Sequence, residues 1–272
     1  MLTREEIHRS LCAMGITPQD TVLMHTSMRA IGSVEGGCDG LIDAFVSYLS
    51  EGLYLVPTHT WANVGEEAPV FDVRRTPPCI GALPTVAAAR RDGVRSLHPT
   101  HSVAAFGAGA AAFVAGEERS ATPCPPGGCW ARLSAVGAKI LLVGVGLDRC
   151  TFLHAVDEKL GLPNRLADPI PLTVIGYAGE RYDLSFQKHG QTGSENFEVF
   201  RAPLEACGAL AHGRLGAAEV LCCDAARTEA VVSHLWQQAT YDLCKSPQRI
   251  PAAYYEGEVG NFLKRFLPPQ NL

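Results

Sequence analysis

The stretch Leu142-Val-Gly-Val-Gly-Leu-Asp-Arg-Cys-Thr-Phe-Leu-His154-Ala-Val-Asp157-Glu158 decides the fold class. The apolar run from 140 to 145 predicts a buried strand, and the glycines at 144 and 146 predict a turn. A helical pattern begins near Thr151, so His154 is expected in the first turn of that helix. A strand that passes through a glycine turn into a helix is the repeating unit of α/β proteins.

The same stretch offers a candidate general base. Asp157 follows His154 by three residues, which places both side chains on one helix face. A helix N-terminus disfavours imidazolium, so His154 is expected to be neutral and able to accept a proton, with the carboxylate orienting the ring. The alternative is that His154 packs in the core and Asp157 only complements the helix dipole.

Composition predicts one globular domain over residues 1–272. The chain is 47% hydrophobic and 19% charged, which is typical of a folded protein with a sizeable core. The N-terminus lacks a basic head followed by an apolar run, and no apolar stretch is long enough for a membrane span. We therefore expect a cytoplasmic protein without a membrane partner.

Charge and cysteine content narrow the possible partners. The net charge of −5 argues against a nucleic-acid surface and is compatible with cationic substrates. The ten cysteines include no CxxC pair, and their spacing predicts mostly small buried side chains. A metal site built from Cys124 and Cys129 is the weaker alternative.

Strand and helix patterns alternate along the chain, which predicts an α/β fold with a mixed central sheet flanked by helices. A hairpin-like pair of strands near 172–177 and 181–185 is the reason for expecting a mixed rather than a wholly parallel sheet. The predicted strands span 21–25, 53–57, 102–106, 140–145 and 217–222, and the predicted helices span 3–15, 41–49, 80–91, 108–115, 197–207 and 226–237.

Polar groups follow three of the predicted strands. The segment 25–32 brings hydroxyls and an arginine to a strand exit, which suits a phosphate or an oxyanion but also an ordinary capped turn. The segments 57–61 and 96–107 carry further histidines. Those histidines could bind a metal or could fix loops by hydrogen bonds to backbone carbonyls.

Taken together, the blocks HTSMRAIG, VPTHTW, FDVRRTP, SLHPTHSVAAFG, LLVGVGLDRCTFLHAVDE and GRLGAAE occur in the order and spacing of one family. The chain resembles the aminoglycoside 3-N-acetyltransferases over about residues 3–237. These enzymes transfer acetyl from acetyl-CoA to an amine, on a fold different from the common N-acetyltransferase fold. The resemblance implies acetyl-CoA as cosubstrate, no metal and a small cationic amine as acceptor, and a homodimer is the candidate assembly.

The resemblance also implies roles for individual residues. The expected catalytic residues are His154 as base, Asp157 as its orienting acid, and Glu158 as a substitute for that acid. The expected acceptor-binding residues are Trp61 and Asp72. The expected CoA-binding residues are His25, Thr26, Ser27, Met28, Arg29, Arg74, Thr76, His98 and Ser102. Direct transfer is expected, because no GxSxG nucleophile elbow is present.

Two departures from the family pattern bear on the acceptor. The loop between Trp61 and Phe71 is short, and Asp157 stands where the family often has Glu. The segment 189–198 is expected to be an acceptor-side loop. Two other functions stay open: a metal-dependent hydrolase that uses His25, His59, His98 and His101, and a non-catalytic CoA-binding scaffold.

Overall fold

The computed structural model describes residues 1–245, 249–257 and 260–261, and these residues form two β-sheets surrounded by helices. The central sheet has the strand order β4-β5-β2-β1-β6-β10-β9, and the small sheet has the order β3-β7-β8. The strands are β1 (Thr21–Thr26), β2 (Leu53–Pro57), β3 (Val70–Asp72), β4 (Val94–Arg95), β5 (Val103–Phe106), β6 (Lys139–Val143), β7 (Leu166–Ile175), β8 (Arg181–His189), β9 (Leu210–Leu215) and β10 (Ala218–Asp224).

Most of the predicted helices are present close to their predicted positions, although the predicted helix 197–207 is a 3₁₀ segment followed by a short α-helix, and the helices Met28–Ile31 and Cys129–Ala135 were not predicted. Thr3 and Glu6 form the expected capping box, in which each side chain accepts the other residue's backbone N–H. The α-helices are α1 (Arg4–Ala13), α2 (Met28–Ile31), α3 (Gly37–Tyr48), α4 (Ala82–Ala89), α5 (Ala110–Val114), α6 (Cys129–Ala135), α7 (Phe152–Lys159), α8 (Arg201–Ala206) and α9 (Ala225–Gln238). Short 3₁₀ turns lie at Glu117–Arg119, Leu147–Arg149, Ser194–Phe200 and Ala252–Tyr254.

The central sheet is mixed, as predicted, but for a different reason. Strands β2, β1 and β6 run parallel, and β5 and β10 join them antiparallel. The predicted hairpin, β7 with β8, is not part of this sheet. It pairs with β3 to form the small sheet. The expectation that the hairpin makes the central sheet mixed was therefore wrong.

Apolar side chains fill both faces of the central sheet, because its inner strands are buried on both sides. Leu23 and Leu55 point to one cluster with α6, α7 and α9, while Val22 and Tyr54 point to the other with α1 and α3. A third cluster around Phe71 lies under the small sheet. Since apolar side chains cover both faces of the central sheet, a polar site can form only at the ends of its strands.

The carboxyl ends of β1, β2 and β6 meet at one edge, since the three strands are parallel. At Gly144, directly after β6, the backbone turns with a φ of 64°. A Cβ there would lie 2.2 Å from the Cβ of Ala30, so only glycine allows this close approach to α2. Ligand sites in open α/β sheets form at such carboxyl edges. Among the described residues, no helix is long and apolar enough to cross a membrane.

Candidate active site

A cavity of about 670 Å³ opens at the carboxyl edge of β1, β2 and β6. That volume lies within the range of small-molecule sites, roughly 300–1,000 Å³. His25 on β1, His59 after β2 and His154 on α7 all line it, so the fold unites three segments that are far apart in sequence. The segment 188–194, expected as an acceptor-side loop, contributes Lys188, His189, Thr192 and Ser194.

Five histidines surround this cavity and are called the histidine cluster: His25, His59, His101, His154 and His189. The ring centroids of His154 and His189 are 4.1 Å apart, those of His189 and His101 4.8 Å, and those of His101 and His59 4.5 Å. His25 stacks on Trp130 at 5.9 Å. His101 was expected at a site only in the hydrolase alternative, and His189 was not named as a site residue, although it lies in the segment 189–198 that the sequence had assigned to the acceptor side.

Most of these rings have buried nitrogens without a hydrogen-bond partner in the described part of the chain. The unpartnered atoms are Nε2 of His25, Nε2 of His59, Nδ1 of His154, and both ring nitrogens of His189. Buried polar groups are normally paired, so a concentration of unpaired nitrogens around one cavity points to a ligand. His101 differs, because its Nδ1 lies 2.8 Å from Oγ1 of Thr100.

Burial keeps the histidine cluster neutral. It lowers the pKa of His25 to about 3 and that of His189 to about 4, and it lowers the pKa of His59, His101 and His154 well below the usual value. The cavity wall therefore presents uncharged imidazoles that can accept a hydrogen bond or a proton at neutral pH.

Asp157 does not make the expected contact with His154. Its Oδ2 accepts a hydrogen bond from Nε of Arg165 at 3.0 Å, while Oδ1 has no partner among the described residues. Nη1 and Nη2 of Arg165 donate to the two carboxylate oxygens of Asp242 at 2.9 and 3.0 Å. Burial raises the pKa of Asp157 to about 7, although Arg165 lowers it.

Glu158 is half-buried, and both of its carboxylate oxygens accept hydrogen bonds from one loop. Its Oε2 accepts from Oγ1 of Thr122 at 2.5 Å, and its Oε1 accepts from the backbone N–H of Cys124 at 2.8 Å. Burial raises the pKa of this carboxyl. Glu158 thus ties the Pro- and Gly-rich loop of residues 122–128, called the Pro/Gly loop, to α7, rather than contacting His154 in place of Asp157.

A second group of polar residues, called the arginine cluster, consists of Arg95 with its partners Thr58, Thr76 and Ser102, and of His98, which makes its hydrogen bonds to other protein groups. The Arg95 guanidinium donates to the carbonyls of Thr58, Val73 and Thr76 and to the Thr58 and Ser102 hydroxyls, over distances of 2.7–3.3 Å. It also lies 5.0 Å from the ring of Phe71. These contacts fasten the small sheet to the central one.

His98 has a fixed tautomer in the arginine cluster. Its Nδ1 accepts from the backbone N–H groups of Thr100 and His101, so Nε2 carries the proton and donates to the carbonyl of Thr122 at 2.9 Å. Neither ring nitrogen is free to meet a ligand. His98, Ser102 and Thr76, all expected at CoA, do not line the cavity and are instead satisfied within the protein.

The other residues expected at CoA divide into two groups. Thr26 lines the cavity with a buried Oγ1 that has no partner among the described residues. Ser27 caps α2 by accepting from the N–H of Ala30 at 3.3 Å, and Met28 packs against the core. Arg29 and Arg74 are exposed, and Arg74 lies over the ring of Tyr177.

The two residues expected at the acceptor also separate. Trp61 lines the cavity, is 45% exposed, and its carbonyl accepts from Nζ of Lys188 at 2.9 Å. Asp72 is not part of the lining. Its Oδ1 accepts from the backbone N–H groups of Arg74 and Arg75 and shapes their turn. The carboxylate that does line the cavity is Asp148, which pairs with Arg149 at 3.0 Å.

The metal sites considered from the sequence have little support in this geometry. Cys129 donates to the carbonyl of Phe113 and Cys124 to that of Thr151. Within the described residues, neither this pair nor the four histidines of the hydrolase alternative form a convergent set of ligands. His98 would have to break its backbone hydrogen bonds to coordinate an ion.

Comparisons with known proteins place the chain among acetyltransferases. The family model described as aminoglycoside 3-N-acetyltransferase matches residues 23–237. The aminoglycoside N(3)-acetyltransferase VII of Streptomyces paromomycinus is 31% identical over 251 residues, which covers 80% of this chain and 85% of that protein.

Solved structures agree with the sequence comparison. The crystal structure of aminoglycoside acetyltransferase AAC(3)-Xa matches with a TM-score of 0.73 and 30% identity, covering 85% of this chain and 91% of that one. The structure of AAC-IIIb with CoASH has a TM-score of 0.76 over 88% of this chain and 98% of that one, and at 22% identity it supports the fold alone. The chain therefore belongs to the aminoglycoside 3-N-acetyltransferase family, a family of acyltransferases that use acetyl-CoA.

Proposed function

We propose that this protein transfers an acetyl group from acetyl-CoA to an amine of a cationic acceptor. The first candidate is the 3-amino group of a 2-deoxystreptamine aminoglycoside, because the relatives are named for that activity. The observation that carries the proposal for this chain is His154. Its neutral ring lines the cavity with a buried Nδ1 that no described residue uses.

His154 is proposed as the general base. A free alkylamine is mostly protonated at neutral pH and must lose its proton to form the amide. The neutral fraction of the amine, whose first proton has passed to the solvent, attacks the thioester carbonyl. The attacking nitrogen then carries a positive charge and is far more acidic, so the neutral imidazole of His154 can take its second proton. The thiolate of CoA then leaves as the tetrahedral intermediate collapses to the amide.

The carboxyl edge of β1 is proposed to receive the thioester. Thr26 offers an unpartnered hydroxyl at the cavity wall, and such a donor can stabilise the oxyanion of the tetrahedral intermediate. The exposed guanidinium groups of Arg29 and Arg74 are available to phosphates outside the cavity. The imidazole of His25 is proposed to lie beside the acetyl group.

The opposite side of the cavity is proposed to hold the acceptor. Trp61 supplies an aromatic face to a sugar ring or a cation, and Asp148 supplies the negative charge that the sequence had assigned to Asp72. Asp157 is proposed as a positioning residue that acts through Arg165 and α7, since its carboxylate does not contact the base.

Acetyl transfer is tested by thiol release from acetyl-CoA with a panel of aminoglycosides, simple polyamines and neutral amines. The expected result is release with cationic acceptors and a product one acetyl group heavier, with the site of acetylation assigned by NMR. His154→Gln should abolish most of the release, and His212→Gln is the matched control, because the His212 side chain is exposed, lies outside the cavity lining and pairs with Glu205. Release with neutral or anionic amines alone would contradict the proposal.

The two alternatives are separated from it by simple measurements. Metal analysis of the purified protein, with and without chelator during the assay, tests the hydrolase. A scaffold would bind CoA but release no thiol with any acceptor.

The location and the assembly of the protein are further proposals. Acetyl-CoA is consumed where it is made, so we propose a cytoplasmic enzyme, which fractionation of producing cells would test. A homodimer is tested by sedimentation velocity, where a monomer would contradict it.

A further inference from the structure

Three potential metal ligands converge at one end of the histidine cluster, where His189 belongs to both groups, and none of the three has a role in the proposed reaction. Cys124 belongs to the Pro/Gly loop, Glu158 to α7, and His189 to the end of β8. One ligand atom from each, a thiol sulfur, a carboxylate oxygen and a ring nitrogen, lies within 4.8 Å of the other two. Three distant segments therefore bring three different donor types to one point.

Each of these groups keeps capacity for a further bond. Both ring nitrogens of His189 are buried without a partner in the described part of the chain. The Cys124 thiol is fully buried, and its contact with the carbonyl of Thr151 is long, at 3.9 Å. Glu158 accepts two hydrogen bonds, whereas a carboxylate offers about four lone-pair positions.

The combination of sulfur, nitrogen and oxygen donors suits Zn²⁺. Zinc takes Cys, His and Glu ligands at about 2.0–2.3 Å in a tetrahedron, which sets neighbouring donors about 3.5 Å apart. Side-chain rotations that move the ligand atoms by roughly 1 Å would bring the three groups to that spacing. His189 also lines the cavity, so an ion from solvent has a path to the site.

We propose that Cys124, Glu158 and His189 bind one Zn²⁺ ion and that the bound ion inhibits the enzyme. On binding, the Cys124 S–H bond breaks, the sulfur keeps the electron pair and bonds to zinc, and the proton passes to the solvent. Water completes the coordination. The ion is an inhibitory ligand in this proposal and not a cofactor.

Inhibition follows from the position of His189. Its ring lies 4.1 Å from that of His154, so the ion adds positive charge beside the proposed base and in the path of a cationic acceptor. Positive charge disfavours protonation of a neighbouring imidazole. This second step rests on the proposed function, whereas the binding step does not.

The binding step is tested with Co²⁺, which replaces Zn²⁺ and reports a thiolate ligand by a charge-transfer absorption. The metal-free full-length protein should develop this absorption during titration, and ZnCl₂ should displace the ion in calorimetry. Cys124→Ser should abolish the band, and His189→Gln should weaken Zn²⁺ binding by at least about tenfold, the loss of one ligand. Circular dichroism confirms that each variant is folded.

Cys79→Ser is the matched control, because Cys79 is a free thiol that lines the same cavity but lies outside the three ligands. It should leave the cobalt band unchanged. A band that survives in Cys124→Ser, or a wild-type protein that binds neither ion, would overturn the metal site. Zinc binding without loss of acetyl transfer would keep the site and overturn its effect on His154.

Discussion

The histidine cluster and the arginine cluster lie at the same edge of the central sheet, yet they satisfy their polar atoms in opposite ways. In the arginine cluster, the guanidinium of Arg95 and both nitrogens of His98 are bound to protein groups. In the histidine cluster, His25, His59, His154 and His189 keep unpartnered nitrogens. Since an unpaired buried group costs about 1–3 kcal/mol, such groups persist where something outside the chain pairs with them.

Because of this difference, residues of a single sequence block divide into those that stabilise the fold and those that line the cavity. His98 and His101 belong to SLHPTHSVAAFG, but His98 is buried in the arginine cluster while His101 lines the cavity. A family block thus marks a region, and the hydrogen-bond partners decide which of its residues hold the fold and which meet a ligand.

The largest expected effect on folding belongs to Arg95→Met. The substitution keeps an apolar stem but leaves the carbonyls of Thr58, Val73 and Thr76 without their donor. We expect the free energy of unfolding to fall by about 3–5 kcal/mol, measured by urea denaturation. Arg91→Met, at an exposed site, is the control and should change it by less than about 0.5 kcal/mol. An equal decrease in the free energy of unfolding in both variants would contradict a stabilising role of the arginine cluster.

Acid should destabilise the protein from about pH 6.5 downward. Six buried histidines have lowered pKa values in the folded state, so the unfolded chain binds more protons below the ordinary histidine pKa, and stability present above it is lost as the pH falls. Each such group contributes up to about 1.4 kcal/mol per pH unit. The six are His25, His59, His98, His101, His154 and His189.

Asp157 and Glu158 act in the opposite direction, because their raised pKa values favour the folded state at lower pH. Because two carboxyls oppose six imidazoles, the folded state still loses stability overall as the pH falls. Urea denaturation at pH 7.5, 6.0 and 5.0 measures this loss of unfolding free energy. In His189→Gln, the free energy should fall less steeply with decreasing pH, by an amount that corresponds to about one proton fewer taken up on unfolding. A stability that stays constant from pH 6.5 to 5 would show that the histidines are not neutral in the folded protein.

The smallest expected effect is that of Asp72→Asn. Asparagine keeps the Oδ1 that accepts from Arg74 and Arg75, and the residue does not line the cavity. We expect the KM for the acceptor to change less than about twofold, whereas Asp148→Asn should raise it by about tenfold by removing a charge from the cavity wall. The reverse order would return the acceptor contact to Asp72, where the sequence had placed it.

The sequence predicted the parts of this molecule that depend on local pattern. The capping box at Thr3, strand Leu53–Pro57 and the helix after Thr151 are all present. It missed β3, β4 and β9. Val70–Asp72 becomes a strand only by pairing with β7, Val94–Arg95 has only two residues, and Leu210–Leu215 contains a glycine and two charged or polar residues.

For the candidate site, the sequence and its family resemblance named His154, His25 and Trp61, and all three line the cavity, but their surroundings were not predicted. The partner of Asp157 is Arg165, which reaches back from the loop after α7 and replaces the expected contact with His154. His189 comes from the small sheet, whose position against the cavity depends on tertiary packing. Contacts of this kind carry no short-range signal in the sequence.

The account is tested most directly by His154→Gln and His98→Gln, compared for acetyl-transfer turnover per folded molecule and for melting temperature on the same preparations. For His154→Gln, we expect turnover to fall by roughly a hundredfold to ten-thousandfold with little change in melting temperature, because a positioned base is lost and no hydrogen bond is broken. For His98→Gln, we expect a lower melting temperature and nearly unchanged turnover, because three hydrogen bonds of the fold are disturbed. Near-wild-type turnover in His154→Gln would contradict the claim that the unpartnered histidines mark the reaction site.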